Sequence, residues 1–337
     1  MKMRKDLFSL LVVFGISAIL PIFIHANTSV MHLLIMCFIW AVVAESWDLM
    51  LGYAGVFTFG QVALFVIGSY ASGMATIQLG ISPWLAMLVA GLLTALVSVL
   101  IGLPCLRLKA AYVALLTFAL HMILEPLLKS DIGRAIGTGG SQGLLNVAPL
   151  SIGGYTFSSL ELVPWYYAAL AISFLLIFAI YKIIHSWWGM AFVAIHDAES
   201  FGKSLGVDEF KYKLLVFAVS AFFTGVIGGF YAHYIGVVST RILGLDLFLL
   251  LMVMQVIGGM GRFPGAVIGA FIATLLNELL RVAGIYRLVI FGAVVIVVVV
   301  LMPEGIMGAL FPVEKKRPFN QVSNSIHRIF KRKVSDL

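Results

Sequence analysis

The sequence predicts an all-α polytopic membrane protein with about ten transmembrane helices and both termini in the cytoplasm. Hydrophobic residues make up 62% of the 337 positions and charged residues only 11%, which is more apolar material than a soluble core of this length can bury. The apolar runs are continuous rather than alternating, as in 288–302, and this favours helices over the strands of a barrel. Lys and Arg concentrate on one side of the predicted spans, as the positive-inside rule requires.

A helix needs about 20 apolar residues to cross the hydrocarbon core, and fewer where it is broken and packed against protein. Ten segments of the sequence meet this requirement. They are 7–24, 30–51, 57–79, 83–103, 110–128, 165–184, 214–238, 247–260, 266–280 and 288–302. The last three are short, and glycines and Pro264 interrupt that region. The first segment exceeds the usual apolar region of a signal peptide, so we expect an uncleaved helix there.

The orientation follows from the loop charges. With the N-terminus inside, 17 of the 22 Lys and Arg residues lie in cytoplasmic segments and five lie outside, an excess that favours this topology. The loop 129–164 is then external and the loop 185–213 is cytoplasmic. The same rule explains the net charge of +7 without a nucleic-acid partner.

Residues 1–310 therefore form a transmembrane domain, and 311–337 form a basic cytoplasmic tail. Apolar residues recur at helical spacing in the tail beside Lys and Arg. This pattern is typical of an amphipathic helix on the anionic inner leaflet. A disordered basic tail that only fixes the orientation is an equal alternative.

The cytoplasmic loop 185–213 is the most polar stretch of the transmembrane domain. Seven charged side chains and one histidine fall within the 18 positions from His196 to Lys213. Apolar runs long enough to cross a bilayer flank the loop on both sides. A membrane protein that keeps one such segment on a single face is expected to contact a soluble partner there.

Two glycine-rich segments begin on the cytoplasmic side of the predicted topology. The candidate residues are Gly52, Gly55, Gly60 and the adjacent Gln61 in the first segment, and Gly258, Gly259 and Gly261 in the second. Glycines let helices pack closely, and they also let a membrane helix break so that its backbone faces a cavity. The pattern therefore leaves two interpretations open, helix packing and a translocation pathway.

Ionisable side chains are rare within the predicted spans. Glu45 and Asp48 end the second span near the cytoplasmic boundary, where we expect water to be close and the two groups to be structural. His121 and Glu125 are four residues apart and share one helix face. We expect a hydrogen-bonded structural pair there, and a proton relay is the alternative.

The external loop contains the glycine-rich stretch TGGSQG, of which Thr138, Gly139, Gly140 and Gln142 are the candidate functional residues. It lacks the flanking strand, helix and lysine of a phosphate-binding loop, so we expect it to meet an external partner or line a mouth. Glu278 and Arg281, at the outer end of the ninth span, predict an ion pair. The sequence contains no HExxH, GxSxG or clustered His and Cys, so neither an enzyme nor a metal site is predicted.

Five sequence blocks, in this order, resemble the permease subunits of ABC importers for branched-chain amino acids, of the M-type branch. They are WDLMLGYAGVFTFGQVALFVIGSY (47–70), TGGSQGL (138–144), the loop 189–213, GGMGRFPGAVIG (258–269) and MPEGIMG (302–308). The resemblance implies a non-catalytic transport subunit whose substrate is a branched-chain amino acid. Urea, short amides and aromatic carboxylates are alternatives, because related permeases share these blocks.

The resemblance also implies an assembly. Its members are a homologous second permease, two ABC ATPase subunits that bind ATP and Mg²⁺, and an extracytoplasmic solute-binding protein that meets the external loop. No cofactor is expected on this chain, and its other partner is membrane lipid. The expected location is the plasma membrane of a prokaryote, which is the inner membrane in a Gram-negative cell.

Within the cytoplasmic loop, the resemblance implies a coupling helix that docks in a groove of the ATPase. The residues that keep the family pattern are Ala194, Ile195, Asp197, Glu199, Leu205 and Gly206. His196 replaces the usual arginine, Lys203 replaces an acidic residue, and Gln61 stands where a histidine is common. An ion-coupled secondary transporter is the rival class, and His121 with Glu125 is its candidate proton site.

Overall fold

The structure is a computed structural model that describes residues 14–15, 17–21, 27–108, 110–158, 161–197, 208–284, 286–302 and 305–310. The helices are α1 Thr28–Asp48, α2 Gln61–Leu79, α3 Pro83–Cys105, α4 Ala110–Lys129, α5 Asp131–Ile136, α6 Leu162–Ile184, α7 Trp187–Asp197, α8 Glu209–Ile235, α9 Leu245–Gly258, α10 Gly265–Leu279, α11 Tyr286–Leu301 and α12 Gly305–Leu310. Residues 14–15 and 17–21 are also helical. The strands in these ranges form one hairpin, β1 Ser151–Ile152 and β2 Tyr155–Thr156.

Six of the described helices are long and apolar enough to cross a membrane: α1 with the turn that follows it, α2, α3, α4, α6 and α8. Helices α9 and α10 are apolar but shorter. The predicted class, an all-α polytopic membrane protein, is therefore confirmed. The number of ten spans and the cytoplasmic location of the termini stay predictions, and the tail 311–337 lies outside the described residues.

Helix ends follow local signals where the sequence supplies them. Asp208 caps α8 by accepting a hydrogen bond from the Lys211 backbone N–H at 3.2 Å, as expected for an N-cap aspartate. Gly236 ends α8 with a φ of 74°, a left-handed conformation that glycine adopts readily. The prediction that a span begins at residue 57 was wrong. Residues 54–60 are not helical, because α1 continues into a π-helical turn, Leu49–Tyr53, before the chain reverses.

Helix α8 lies at the centre of the bundle and packs against α1, α2 and α3. The crossing with α2 is close, since a Cβ placed on Gly68 would lie 2.5 Å from the Gly225 Cα. The Ser69 hydroxyl donates to the Gly228 carbonyl at 2.9 Å across the same contact. Small residues that admit such approach are typical of membrane helix packing.

The two predicted loops lie at opposite ends of α8, whose 27 residues span about 40 Å. Loop 131–158 packs at the C-terminal end of α8, where Leu144 pairs with Val238. Ala148 accepts a hydrogen bond from His233 Nδ1 at 2.7 Å at the same end. Helix α7 packs at the other end, where the rings of Phe192 and Tyr212 meet edge to face. We name the loop 131–158 end the outer end and the α7 end the inner end, following the predicted orientation.

Candidate functional site

The two glycine-rich segments meet at the inner end of the bundle. A Cβ placed on Gly52 would lie 2.2 Å from Asp48 Oδ1 and 2.2 Å from the Gly261 backbone nitrogen. Gly52 belongs to the π-helical turn Leu49–Tyr53, a widened turn that is frequent at functional sites. We call the contact of Gly52 with Gly261, together with the adjoining turn residue Gly55, the glycine junction.

Asp48 holds the glycine junction together. Its side chain is fully buried, and its two carboxylate oxygens accept hydrogen bonds from the Gly261 N–H at 2.9 and 3.1 Å. The Phe263 N–H donates to the Tyr53 hydroxyl at 2.9 Å and ties the same two segments together. Two backbone N–H groups of the Gly261 segment are thus held by side chains of the stretch 48–53.

The expectation that water lies close to Glu45 and Asp48 was wrong. Both side chains are fully buried, because the segment that begins near Gly261 folds over this end of α1. Both Glu45 carboxylate oxygens are buried without a hydrogen-bond partner in the described part of the chain. A periodicity argument places these groups at a helix end, but it does not show which distant segment covers them.

The second glycine segment also packs against its own neighbours. A Cβ on Gly258 would lie 2.2 Å from the Gly265 carbonyl oxygen, and one on Gly305 would lie 2.4 Å from the Gly259 Cα. These distances require glycine at Gly258 for the close approach of α9 and α10. Helix packing therefore accounts for these glycines, and their role in a translocation pathway stays a prediction.

Gly60 and Gln61 do not take part in the glycine junction and contact α4 and α8 instead. A Cβ on Gly60 would lie 3.6 Å from the Thr117 Cβ, an ordinary contact. The Gln61 amide is buried and donates to Thr224 Oγ1 at 2.5 Å and Ser220 Oγ at 3.3 Å. Gln61 thus joins α2 to α8, and its substrate role also stays a prediction.

Helix α7, in the predicted coupling segment, has one buried face and one exposed face. Phe192 and Ile195 are buried, whereas Trp187 is 82% exposed and Met190 is 55% exposed. The turn from α6 is tight, since a Cβ on Gly189 would lie 1.9 Å from the Ile184 carbonyl oxygen. The helix is therefore fixed to the bundle on one side and presents aromatic and apolar groups on the other.

The end of α7 contacts the glycine junction directly. Gly55 has a φ of +65°, and a Cβ there would lie 2.4 Å from His196 Cδ2. His196 therefore lies against the turn that connects α1 to α2. The predicted coupling residues Ala194 and Ile195 lie in the same helix, partly buried and buried respectively. No pattern in the sequence indicated this contact, because Gly55 and His196 are far apart along the chain.

The rest of the predicted coupling set is only partly described. Asp197 ends α7, and the remaining members lie outside the described residues, namely Glu199, Lys203, Leu205 and Gly206. The chain is described again at Asp208, whose side chain accepts a hydrogen bond from the Lys211 ammonium that lowers the pKa of the Asp208 carboxyl. An ion pair between Lys213 and Glu209 follows within the first turn of α8.

The external glycine-rich stretch forms an ordered turn on the end of α4. Thr138 Oγ1 donates to the Leu128 carbonyl at 2.9 Å, and Gly139 and Gly140 adopt φ values of 75° and 61°. The Gln142 side chain is exposed. The stretch is thus shaped by backbone turns that suit glycine, and its contact with an external partner stays a prediction.

The expected hydrogen-bonded pair of His121 and Glu125 was wrong. Glu125 is ion paired with Lys129 at 2.5 Å, one turn further along α4. The His121 ring packs against Phe118 and Phe248, with centroid distances of 6.3 and 5.9 Å. Lys129 takes the carboxylate and both His121 ring nitrogens lack a hydrogen-bond partner among the described residues, so the two residues that a proton relay would need are not joined.

Residues 29–299 match the family described as "Branched-chain amino acid transport system / permease component". This chain belongs to that family. It is 25% identical over 281 residues to the high-affinity branched-chain amino acid transport system permease protein LivM of Escherichia coli (strain K12). That match covers 77% of this chain and 65% of its relative, so the chain spans less than two thirds of that protein's length.

This chain is also similar to a second type of permease protein, LivH. The high-affinity branched-chain amino acid transport system permease protein LivH of Escherichia coli (strain K12) is 26% identical over 291 residues, which cover 80% of this chain and 91% of LivH. LivM of Salmonella typhimurium is 25% identical over 293 residues, 81% of this chain and 68% of that protein. No solved structure gives a significant match. The family is a transport permease family, which agrees with the predicted non-catalytic role.

Proposed function

We propose that this chain is the transmembrane permease subunit of an ABC importer for branched-chain amino acids. The observation that carries the proposal is the contact of α7 with the glycine junction, where His196 lies 2.4 Å from the position of a Gly55 Cβ. A short helix at the inner end is thereby attached to the packing of α1, α2 and the Gly261 segment. Membership of the permease family and the names of the relatives support the substrate class.

The proposed assembly contains a homologous second permease, two ATPase subunits that bind ATP and Mg²⁺, and an extracytoplasmic solute-binding protein. Similarity to both LivM and LivH of one bacterial strain supports a pair of homologous permeases. We place the chain in a prokaryotic plasma membrane, the inner membrane of a Gram-negative cell, with about ten spans and both termini in the cytoplasm.

The proposed coupling route runs from the ATPase to the bundle through α7. Movement of α7 displaces His196 relative to Gly55, and rigid contacts carry the displacement to Gly52 and Gly261. Asp48 transmits it further because its carboxylate bonds the Gly261 backbone at 2.9 and 3.1 Å. Closely packed contacts of this kind move together rather than deform continuously.

The test is leucine uptake by the assembled importer in proteoliposomes, compared between wild type, Glu199→Lys and Glu125→Gln. We expect uptake that needs internal ATP, resists a protonophore, falls strongly in Glu199→Lys and persists in Glu125→Gln. Binding of the ATPase to the variant is measured separately by co-purification. Uptake that persists in Glu199→Lys but requires a proton gradient would show an ion-coupled transporter instead. Uptake of urea but not of leucine, isoleucine or valine would contradict the substrate class.

A further inference from the structure

A cavity of about 600 Å³ lies at the outer end of the bundle. Its walls come from the N-terminal turns of α1, α6 and α9, from the C-terminal turns of α8 and α10, and from the 3-10 turn Leu280–Ala283 that follows α10. These helix ends lie together because the helices alternate in direction. The cavity, which we call the outer cavity, has the size of a typical small-molecule site, and neither the coupling segment nor the glycine junction contributes to it.

One side of the outer cavity carries opposite charges. Glu278 and Arg281 form an ion pair at 3.0 Å, with their side chains 39% and 73% exposed. Both residues line the cavity. A pair exposed to this extent contributes little net stability. Breaking it therefore costs little when a ligand that carries both charges binds the two side chains instead. The sequence predicted this ion pair, and the pair is confirmed, but its position in a cavity was not visible from spacing.

Further polar groups line the cavity away from that ion pair. Asn277 contributes an amide, and His32 bonds the Tyr234 hydroxyl through Nδ1 at 2.6 Å. Thr274 Oγ1 is buried and has no nitrogen or oxygen hydrogen-bond partner in the described residues. The Cys37 thiol beside it is only a weak hydrogen-bonding group. The hydroxyl is enclosed beside Cys37, so the polar groups that a ligand can meet on this side are Asn277 and His32.

The rest of the wall is apolar. Leu33, Met36 and Trp40 follow one another along a face of α1, and Leu250 contributes from α9. An aliphatic side chain placed against these groups would be removed from water and so stabilised. The combination of one carboxylate, one guanidinium and an apolar wall within one cavity matches the three chemical parts of an aliphatic amino acid.

We propose that the outer cavity receives an aliphatic α-amino acid in its zwitterionic form. The ligand carboxylate takes the two-pronged hydrogen bonds that a guanidinium donates, here from Arg281. The ligand ammonium binds Glu278, and the side chain packs against Leu33 and Met36. The proposal rests on the proposed function for its substrate class, and it adds the residues that accept the substrate from the outer side. Urea, which carries no charge, would leave the ion pair without a role.

The experiment measures how ligands protect a cysteine in the cavity. Asn277→Cys is introduced into a chain that also carries Cys37→Ser and Cys105→Ser, and the assembled importer is labelled with a membrane-impermeant maleimide. Leucine at about ten times its dissociation constant is expected to slow labelling about tenfold. 4-Methylpentanoate, which lacks the ammonium, and 3-methylbutylamine, which lacks the carboxylate, are expected to protect much less.

Variants of the ion pair then test the residue assignment. Arg281→Gln and Glu278→Gln should each raise the leucine concentration needed for half-maximal protection by about tenfold or more. Glu125→Gln is the matched control, since Glu125 also pairs with a cation on its own helix and is 40% exposed against 39% for Glu278, but it lies outside the cavity. Its protection should equal that of the parent chain. Because the Arg281 side chain is 73% exposed, we expect Arg281→Gln to fold like the parent chain.

Three outcomes would overturn the proposal. The first is labelling that leucine does not slow, and the second is protection that Arg281→Gln and Glu278→Gln leave unchanged. The third is equal protection by leucine and 4-methylpentanoate, which would contradict zwitterion recognition. Leucine uptake by the parent importer is measured in parallel. Uptake without protection rejects the outer cavity and leaves the proposed function standing, whereas absent uptake of any branched-chain amino acid rejects the proposed function itself.

Discussion

Substitution of Gly52 by alanine is expected to open the glycine junction. The new Cβ would lie 2.2 Å from the Gly261 nitrogen, and contacts to a Cβ become ordinary only at 3.4 Å. The two backbones must therefore separate by about 1.2 Å. Such overpacking costs about 1–3 kcal/mol. A separation of that size also lengthens the hydrogen bonds from Gly261 to Asp48, and losing them costs about 0.5–1.5 kcal/mol more.

The assay is equilibrium unfolding of the purified full-length chain in mixed micelles, with leucine uptake of the assembled importer beside it. Gly52→Ala should lower the free energy of unfolding by several kcal/mol and lower uptake as well. Gly60→Ala is the matched control in the same segment, because a Cβ there meets only Thr117 at 3.6 Å. It should change stability by no more than about 1 kcal/mol. Equal stability of Gly52→Ala and Gly60→Ala would refute the close contact on which this reasoning depends.

Three further outcomes are expected. Gly55→Ala, which combines a positive φ with a Cβ 2.4 Å from His196 Cδ2, should reduce uptake per ATP hydrolysed while the ATPase still co-purifies; an unchanged ratio would exclude this contact from coupling. His233→Phe removes the hydrogen bonds to Ala148 and Ser72 and should raise amide exchange in 144–158, whereas unchanged exchange would show that the loop is held elsewhere. The lowered pKa of Asp208 predicts a stabilisation that is present above the ordinary aspartate pKa of about 3.9 and is lost as the pH falls through the lowered value. The difference in denaturation midpoint between wild type and Asp208→Asn should therefore vanish at low pH, and a difference that grows there would contradict the assigned ion pair.

Helix positions were largely predictable because the length and continuity of an apolar run are local properties. The predicted span 83–103 and α3, Pro83–Cys105, differ by two residues, and Pro83 at the first helical position explains the shared start. The predicted start at 57 failed, because the π-helical turn and the reversal after it depend on Gly52 lying against Gly261. A contact across more than 200 residues leaves no periodic signal.

The contacts of the candidate residues were likewise predictable where they are local and unpredictable where they depend on distant segments. Glu278 and Arg281 could be predicted as an ion pair, since three-residue spacing on a helix brings the side chains together. His121 and Glu125 have equally suitable spacing, yet Glu125 pairs with Lys129. Spacing identifies which groups can meet, and the choice among several competent partners depends on packing around them. Both carboxylates at the end of α1 illustrate the limit, because their burial is produced by a distant segment.

By itself, the sequence determined the class of the protein, the approximate positions of its membrane helices and its resemblance to importer permeases, since composition and motif order are read along the chain. Only the tertiary structure decided which glycines touch, that Asp48 bonds the Gly261 backbone, and that His196 lies on Gly55. It also decided that Glu278 and Arg281 share a cavity with Thr274 and Leu33. These features are contacts between separate helices, and their geometry follows from close packing in three dimensions rather than from any local pattern.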